Sequence, residues 1–260
     1  MLEMKWLLAC RRMWNDLIDV ICPPACPSCR RGLTDDERAV HPDSPLCTAC
    51  RDDLQLPEEG FCQKCGAVIG PYSQVAEGCL YCRRERFAFG TVIGLGTYDG
   101  MLRKMCVAAK MPGGAALAGS LAELLYERRG TELDHLHVDL VTSVPEHWTE
   151  RLMRSHNAPA VIARVISHRL KADFAGPILR KVVRTRPQTS LSPTARRREP
   201  GGAFSAGSGA NLMGARVLLV DDVLTTGATA NAASRVLLAA GAGSVSVAVL
   251  ARGIGSSRSR

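Results

Sequence analysis

Residues 217–237 read VLLVDDVLTTGATANAASRVL. Four apolar residues form a short run that is typical of a buried strand, and Asp221 and Asp222 follow it directly. Two threonines and a glycine come next, before a stretch with the pattern of a helix that begins near Thr229. A buried strand that ends in adjacent carboxylates and continues into a helix predicts a ligand site at the carboxyl edge of a sheet.

The turn after the two aspartates has the features of an anion site, because a helix aims its free first-turn N–H groups and the positive end of its dipole at one point. Carboxylates repel a phosphate, so Asp221 and Asp222 suit a sugar diol, directly or through a divalent cation. A phosphate beside a diol describes a ribose 5-phosphate. A helix that Asp222 or Thr226 merely caps is the simpler alternative. The predicted phosphate-binding residues are Thr225, Thr226, Gly227, Ala228 and Thr229.

Strands and helices alternate from about Phe87 onwards. This order predicts an α/β fold whose mostly parallel sheet is covered by helices on both faces. The predicted strands are 91–98, 138–145, 177–183, 217–220 and 244–251. The predicted helices are 100–110, a second that follows the turn at 112–114, 158–170 and a last one from about 229.

Nine of the eleven cysteines lie between Cys22 and Cys82, and eight of them form CxxC pairs. Taken in order, the pairs give C-x2-C-x17-C-x2-C and C-x2-C-x13-C-x2-C, so each set offers four thiolates from two short knuckles, as tetrahedral zinc requires. Disulfides are the alternative, which a reducing compartment disfavours. We expect two structural zinc ions in tandem ribbons, and the spacing leaves open whether Cys22 or His41 replaces a ligand. The predicted ligands are Cys26, Cys29, Cys47, Cys50, Cys62, Cys65, Cys79 and Cys82.

The formal charge of +8 is unevenly distributed. Between Arg151 and Glu199, twelve Lys or Arg residues oppose two acidic ones, a local net charge of +10. Such a block predicts a polyanionic ligand, either nucleic acid or a compound with several phosphates, and a solvated surface is the alternative. Residues 1–21 have apolar positions at helical spacing with charges between them, which predicts an amphipathic helix and not a signal peptide. With no apolar run near the roughly 20 residues of a membrane span, a cytoplasmic protein is expected.

VLLVDDVLTTGAT resembles the phosphoribosyl-pyrophosphate (PRPP) binding motif of type I phosphoribosyltransferases at all thirteen positions. With the cysteine knuckles in front of it, the chain resembles the ComF/GntX family, in which a double zinc ribbon precedes a phosphoribosyltransferase-like domain. Bacterial members are linked to competence, the uptake and use of external DNA. We expect an N-terminal helix at 1–21, a double zinc ribbon at 22–86, a phosphoribosyltransferase-like domain at 87–252 and a flexible tail at 253–260.

Three other segments resemble the family less closely. YDGMLRKMCVAAKMPGG (98–114) implies that Lys110 and Gly113 lie in the loop that grips pyrophosphate. VPEHWTERLMRSHN (144–157) implies a binding role for Arg154, although serine and histidine stand where the family has glycine and an aromatic residue. RTRPQTSLSPTARRREPGGAF (184–204) resembles the family's long flexible loop and implies roles for Arg184 and Gln188.

The resemblance implies an enzyme that binds PRPP with magnesium and transfers its phosphoribosyl group to an unknown nucleophilic acceptor, releasing pyrophosphate. Asp221, Asp222 and Lys110 are the implied catalytic residues. His147 and His156 are the titratable candidates for a general base, with a structural or surface role as the alternative for each. The acceptor is expected near residues 87–100, with the ribbons as a further part of that site. The alternative is a binding module without turnover that senses PRPP or a nucleotide, or makes a weak contact with DNA or the DNA-uptake machinery.

Overall fold

The computed structural model describes residues 23–58, 60–70, 78–145, 156–176, 178–181, 204–207 and 212–254. The chain divides into two compact units, Met1–Asp53 and Leu54–Arg260. The first unit contains the first two CxxC pairs and two short helices, α1 (Asp35–Val40) and α2 (Thr48–Asp52). The helix predicted at 1–21 lies outside the described residues, and the sequence-based domain bounds stay predictions.

The second unit contains all strands found in the described residues, together with the longer helices. In chain order these are β1 (Val92–Thr97), α3 (Gly100–Ala108), α4 (Ala115–Asp134), β2 (Leu140–Ser143), α5 (Ala158–Leu170), β3 (Asp173–Phe174), β4 (Leu179–Lys181), β5 (Phe204–Ala206), β6 (Arg216–Leu224), α6 (Ala228–Ala239) and β7 (Ser244–Arg252). Among the described residues, no helix is both long enough and apolar enough to cross a membrane.

Five strands form one sheet in the order β1-β7-β6-β2-β3, and each neighbouring pair is parallel. Strand β6 lies in the middle, where β7 pairs with it as far as Leu224 and β2 only as far as Val220. The predicted α/β fold with a mostly parallel sheet is therefore confirmed.

Helices cover both faces of this sheet. Val217 and Leu219 of β6 share a buried cluster with Ala233 and Leu237 of α6. Because side chains alternate along a strand, the residues between them face the opposite layer, where α5 contacts β2 and β6 and α4 contacts β1. A strand buried on both sides explains why VLLV has no polar residue.

Three details differ from the sequence prediction. The segment predicted as a sheet strand at 177–183 forms β4, which pairs antiparallel with β5 in a separate two-stranded ladder. Only Leu179 of its three residues is buried, so this strand lacks the two apolar faces that a central parallel strand needs. The short strands β3 and β5 and the short helices α1 and α2 were not predicted. Strand β6 continues through both aspartates to Leu224, four residues beyond the apolar run, because β7 pairs with it over this distance.

Candidate functional site

Asp221 and Asp222 lie at the carboxyl end of β6, where β2 has already stopped. The last β2 pairing joins Ser143 to Val220, so both aspartates extend beyond that neighbour while β7 continues alongside them. The pleat directs their side chains to opposite faces of the strand. Asp222 is 7% exposed and Asp221 is half-buried. The two carboxylates therefore border the crevice in which open α/β sheets bind ligands.

Lys110 joins this pair of carboxylates from the turn that follows α3. Its Nζ forms an ion pair with Oδ2 of Asp222. Burial disfavours the Lys110 ammonium, but the charge and hydrogen bond of Asp222, and then the charge of Asp221, raise its pKa above the ordinary value. The three implied catalytic residues thus form one electrostatic cluster.

The pKa of Asp221 is raised from its ordinary value. Burial is the main cause, and the neighbouring charge of Asp222 adds to it, while Lys110 opposes the shift. The cluster therefore holds less negative charge than two independent carboxylates would, and a further cation beside Asp221 would favour its ionised form.

The turn Thr225–Gly227 connects β6 to α6. Gly227 is the N-cap of α6, with φ of 80° and no side-chain cap hydrogen bond. This left-handed conformation favours glycine, and a Cβ here would lie 3.1 Å from the Phe87 ring. Thr225, Thr226, Ala228 and Thr229 are exposed around the buried Gly227.

The first-turn N–H groups of α6 have no intrahelical acceptor, as at any helix start. Thr226 Oγ1 accepts one hydrogen bond of 3.3 Å, from the Ala228 N–H. Asp222 does not cap α6, because Gly227 is the N-cap residue and the Asp222 carboxylate pairs with Lys110. The predicted phosphate-binding loop, residues 225–229, thus combines exposed hydroxyls with a helix N-terminus next to the two aspartates.

Other predicted site residues fall in different places. Gly113 lies in the exposed turn between α3 and α4. His156 has Nε2 2.7 Å from the carbonyl oxygen of Ala109, and since a carbonyl only accepts, this nitrogen carries the proton. The ring thus joins the start of α5 to the turn that presents Lys110. The predicted residues that lie outside the described ranges are Arg154, Arg184, Gln188, His147 and Cys22.

The eight predicted cysteine ligands form two tetrads. We call Cys26, Cys29, Cys47 and Cys50 the first tetrad, and Cys62, Cys65, Cys79 and Cys82 the second tetrad. Within each, all four Sγ atoms lie within 4.8 Å of one another. Four thiolates around a zinc ion at about 2.3 Å would lie about 3.8 Å apart in tetrahedral geometry. The shortest Sγ–Sγ distances, 3.6 to 3.8 Å, fit that value.

Disulfides do not account for these cysteines. All nine in the described part of the chain are free thiols. Each tetrad found there consists of cysteines alone, so His41 belongs to neither. Four-cysteine sites leave no open coordination position, as in structural zinc sites. The geometry therefore supports two structural zinc sites.

Arg252, the last residue of β7, is a functional candidate that sequence reasoning missed. It is 6% exposed, and its Nε donates a 2.8 Å hydrogen bond to the carbonyl of Cys65. Its Nη1 donates to the carbonyl of Leu224 at 2.9 Å and also to those of Thr225 and Gly253. The available signal was an arginine at the end of the apolar strand SVSVAVLAR.

Two family profiles match the chain. The double zinc ribbon domain matches residues 17–85, and the phosphoribosyl transferase domain matches residues 159–259. Among curated proteins, Competence protein F of Haemophilus influenzae is 28% identical over 220 residues, which cover 79% of this chain and 96% of that protein. DNA utilization protein YhgH of Salmonella typhimurium is 26% identical over 227 residues, covering 80% and 96% respectively.

Solved structures of phosphoribosyltransferases resemble part of the chain. The glutamine PRPP amidotransferase of B. subtilis, solved with ADP and GMP, matches 53% of this chain and 27% of its own, with 24% identity and a TM-score of 0.38. A superposition this loose supports no functional argument. The chain therefore contains a double zinc ribbon domain followed by a phosphoribosyl transferase domain, and it is similar over 79% and 80% of its length to Competence protein F and DNA utilization protein YhgH, each matched over 96% of its own length.

Proposed function

We propose that this protein binds PRPP with magnesium at the carboxyl end of β6 and transfers the phosphoribosyl group to a nucleophilic acceptor. One observation carries the proposal. Asp221 and Asp222 lie near the carboxyl end of a central parallel strand, and the residues after its last residue, Leu224, form an exposed hydroxyl-rich turn that enters α6 through the left-handed Gly227. A diol site and a phosphate site are thereby adjacent on one continuous segment.

The residues of this segment have complementary roles in the proposed reaction. The two aspartates would hold the ribose hydroxyls and stabilise positive charge that develops on the ribose, while the first-turn amides of α6 and the threonine hydroxyls bind the 5-phosphate. Magnesium would supply electrostatic stabilisation of the leaving pyrophosphate. Lys110, paired with Asp222, brings an ammonium group to the same place.

The proposal extends to residues outside the described ranges. Arg154, Arg184 and Gln188 would contact the phosphates, and closure of residues 184–200 would exclude water and so limit hydrolysis. A cytoplasmic location belongs to the same proposal, since thiolates stay reduced there and keep the two zinc sites loaded. The acceptor would bind near residues 87–100.

Calorimetric titration of PRPP in the presence of magnesium tests the binding site. Changing Asp221→Asn together with Asp222→Asn removes both charged acceptors, so we expect affinity to fall at least about 100-fold. Asp139→Asn is the matched control, because Asp139 also pairs with a cation, Arg216, but at the opposite end of β6. Unchanged affinity in the double variant, with an intact thermal unfolding transition, would refute the site.

Turnover is tested separately, by incubating the protein with PRPP, magnesium and a pool of metabolites and measuring pyrophosphate. Release that depends on an added acceptor would support a transferase and identify its substrate. Binding of PRPP without any acceptor-dependent release would support a sensing module instead.

A second candidate function is a contact with DNA. It is favoured by the local net charge of +10 between residues 151 and 199 and by a relative named DNA utilization protein. A mobility-shift titration at increasing salt would show affinity falling steeply with salt concentration if phosphates are bound. Absence of any shift at low salt would reject this function.

A further inference from the structure

The guanidinium of Arg252 joins the second tetrad to the phosphate-binding loop. Arg252 lies opposite Leu224 in the β6–β7 register, at the point where β6 turns into the loop. Its contacts are to backbone carbonyls of three segments: Cys65 of the second tetrad, Leu224 and Thr225 at the start of the loop, and Gly253 after β7. A zinc ligand and the loop thus share one buried side chain.

These hydrogen bonds are suited to positioning. Bonds from an ionised donor are stronger than neutral ones, and the planar guanidinium presents its N–H groups in a fixed fork. A buried cation that is held by carbonyls from separate segments constrains those segments relative to one another. Loss of any of these carbonyl partners would leave a buried charge less well satisfied.

A second connection runs from the other end of the second tetrad. The segment 87–89 follows Cys82 by a few residues, and its Ala88 N–H donates a 2.7 Å hydrogen bond to Asn231 Oδ1 in the first turns of α6. The Phe87 ring stacks on Phe89, with centroids 4.5 Å apart, and lies against Gly227. The loop is therefore contacted by segments adjoining both halves of the second tetrad.

We propose that Arg252 is a positioning residue that couples the second tetrad to the phosphate-binding loop. With its four thiolates held by a metal ion, the knuckle keeps the Cys65 carbonyl in place, and Arg252 transmits that constraint to Leu224 and Thr225. The loop amides are then preorganised before a phosphate arrives. For its ligand this inference rests on the proposed PRPP site; the coupling itself concerns the backbone of the loop.

The test compares Arg252→Lys with Arg129→Lys. Lysine keeps the charge but loses the fork that reaches several carbonyls at once. Arg129 is a matched control, because it is also a buried arginine that joins the segment of the second tetrad to the sheet. Its guanidinium stacks on the Phe61 ring at 3.9 Å and donates to the Gly94 carbonyl of β1. Four quantities are measured in each variant: zinc content, thermal unfolding, amide hydrogen exchange of residues 224–230, and affinity for PRPP with magnesium.

We expect Arg252→Lys to retain two zinc ions per chain, to exchange the 224–230 amides at least tenfold faster and to bind PRPP about tenfold more weakly, the loss of one charged hydrogen bond. Arg129→Lys should leave the exchange of these amides and the PRPP affinity unchanged. Unaltered loop exchange in a folded Arg252→Lys protein, or equal acceleration in both variants, would overturn the coupling.

Two other outcomes, a wild-type protein that does not bind PRPP and an Arg252→Lys variant that does not fold, also bear on the coupling. If the wild-type protein does not bind PRPP, the proposed function fails, and the exchange comparison alone decides the coupling. If Arg252→Lys does not fold, Arg252→Gln, whose amide N–H groups can still donate to a carbonyl but not to several segments at once, replaces it in the same exchange measurement. Unchanged protection of residues 224–230 in a folded Arg252→Gln protein would then contradict the proposal.

Discussion

Two knuckles of this protein, residues 25–32 and 61–68, have the same backbone and different surroundings. In each, the residue before the first cysteine forms an isolated antiparallel bridge, Ala25 with Gly32 and Phe61 with Val68. Four residues after the first cysteine, Arg30 donates its N–H to the Cys26 carbonyl and Gly66 donates its N–H to the Cys62 carbonyl, each at 2.7 Å. Both donor residues have a positive φ, 63° at Arg30 and 69° at Gly66. The metal-binding turn is therefore independent of what surrounds it.

The residues that occupy this shared turn differ in burial between the two knuckles. The left-handed position is the exposed Arg30 in the first knuckle and the buried Gly66 in the second. A Cβ on Gly66 would lie 2.7 Å from a Val92 side-chain carbon. Likewise Ala25 is exposed, whereas Phe61 is buried under the guanidinium of Arg129. Similar zinc motifs can thus be a local unit in one place and part of a large core in another.

Local contacts brace the first tetrad within its own unit. Glu37 accepts hydrogen bonds from Arg31 at 2.6 Å and from the Thr34 and Thr48 N–H groups at 3.0 and 2.9 Å. These backbone bonds, Thr34 first and then Thr48, lower the Glu37 pKa to about 2. Thr34 and Glu37 form a capping box for α1. The residues that donate these hydrogen bonds to Glu37 all lie within 11 positions of it in the chain.

The largest expected effect is the loss of a zinc ligand from the second tetrad. Cys79→Ser should remove one zinc ion and unfold much of the α/β unit cooperatively, because the second tetrad shares its core with the sheet through Phe87. Cys29→Ser should also remove one zinc ion but leave the unfolding transition of the α/β unit within about 0.5 kcal/mol of the wild type. Metal analysis and chemical denaturation followed by circular dichroism measure both effects.

Equal destabilisation of the α/β unit by Cys79→Ser and Cys29→Ser would contradict the conclusion that only the second tetrad supports the fold of that unit. A wild-type protein containing one zinc ion per chain would also contradict the comparison between the tetrads, since each tetrad has four ligands of its own.

An intermediate effect is expected for Gly66→Ala. The added methyl group meets Val92, and the backbone stays in a conformation that disfavours alanine, so the free energy of unfolding should fall by about 2 to 4 kcal/mol. Urea denaturation measures the loss. Gly32→Ala in the first knuckle is the control, because a Cβ there meets nothing within 4 Å. A loss below about 0.5 kcal/mol in Gly66→Ala would show that Val92 moves aside at little cost.

The smallest effect is expected for Arg30→Gly, and its sign is opposite. Relief of the left-handed conformation at an exposed position should stabilise the first knuckle by up to about 1 kcal/mol. The rate of zinc transfer to a chelator from the first tetrad should decrease accordingly, while that from the second tetrad stays constant. Faster release from the first tetrad would mean that the Arg30 side chain contributes a contact that outweighs the strain.

Much of the architecture could be predicted because it depends on patterns within short segments. The spacing of the CxxC pairs correctly grouped the eight cysteines into two tetrads, and the apolar runs located four of the five sheet strands, β1, β2, β6 and β7. Helix α5 agrees with its prediction at both ends, where Asn157 caps the start and Lys171 adopts a left-handed conformation after the end. Strand β4 was predicted in the wrong sheet because pairing partners are chosen by tertiary packing and not by local propensity.

The sequence by itself determined the two sets of zinc ligands and the continuous segment from the aspartates to α6, because their geometry follows from spacing and from the periods of strand and helix. Only the tertiary structure decided which residues support them. The Lys110–Asp222 ion pair, and the contacts of Arg252 with the carbonyls of Cys65, Leu224 and Thr225, join residues that are far apart in the chain. Such contacts form only once the sheet has brought the strand ends together, so no local pattern could reveal them.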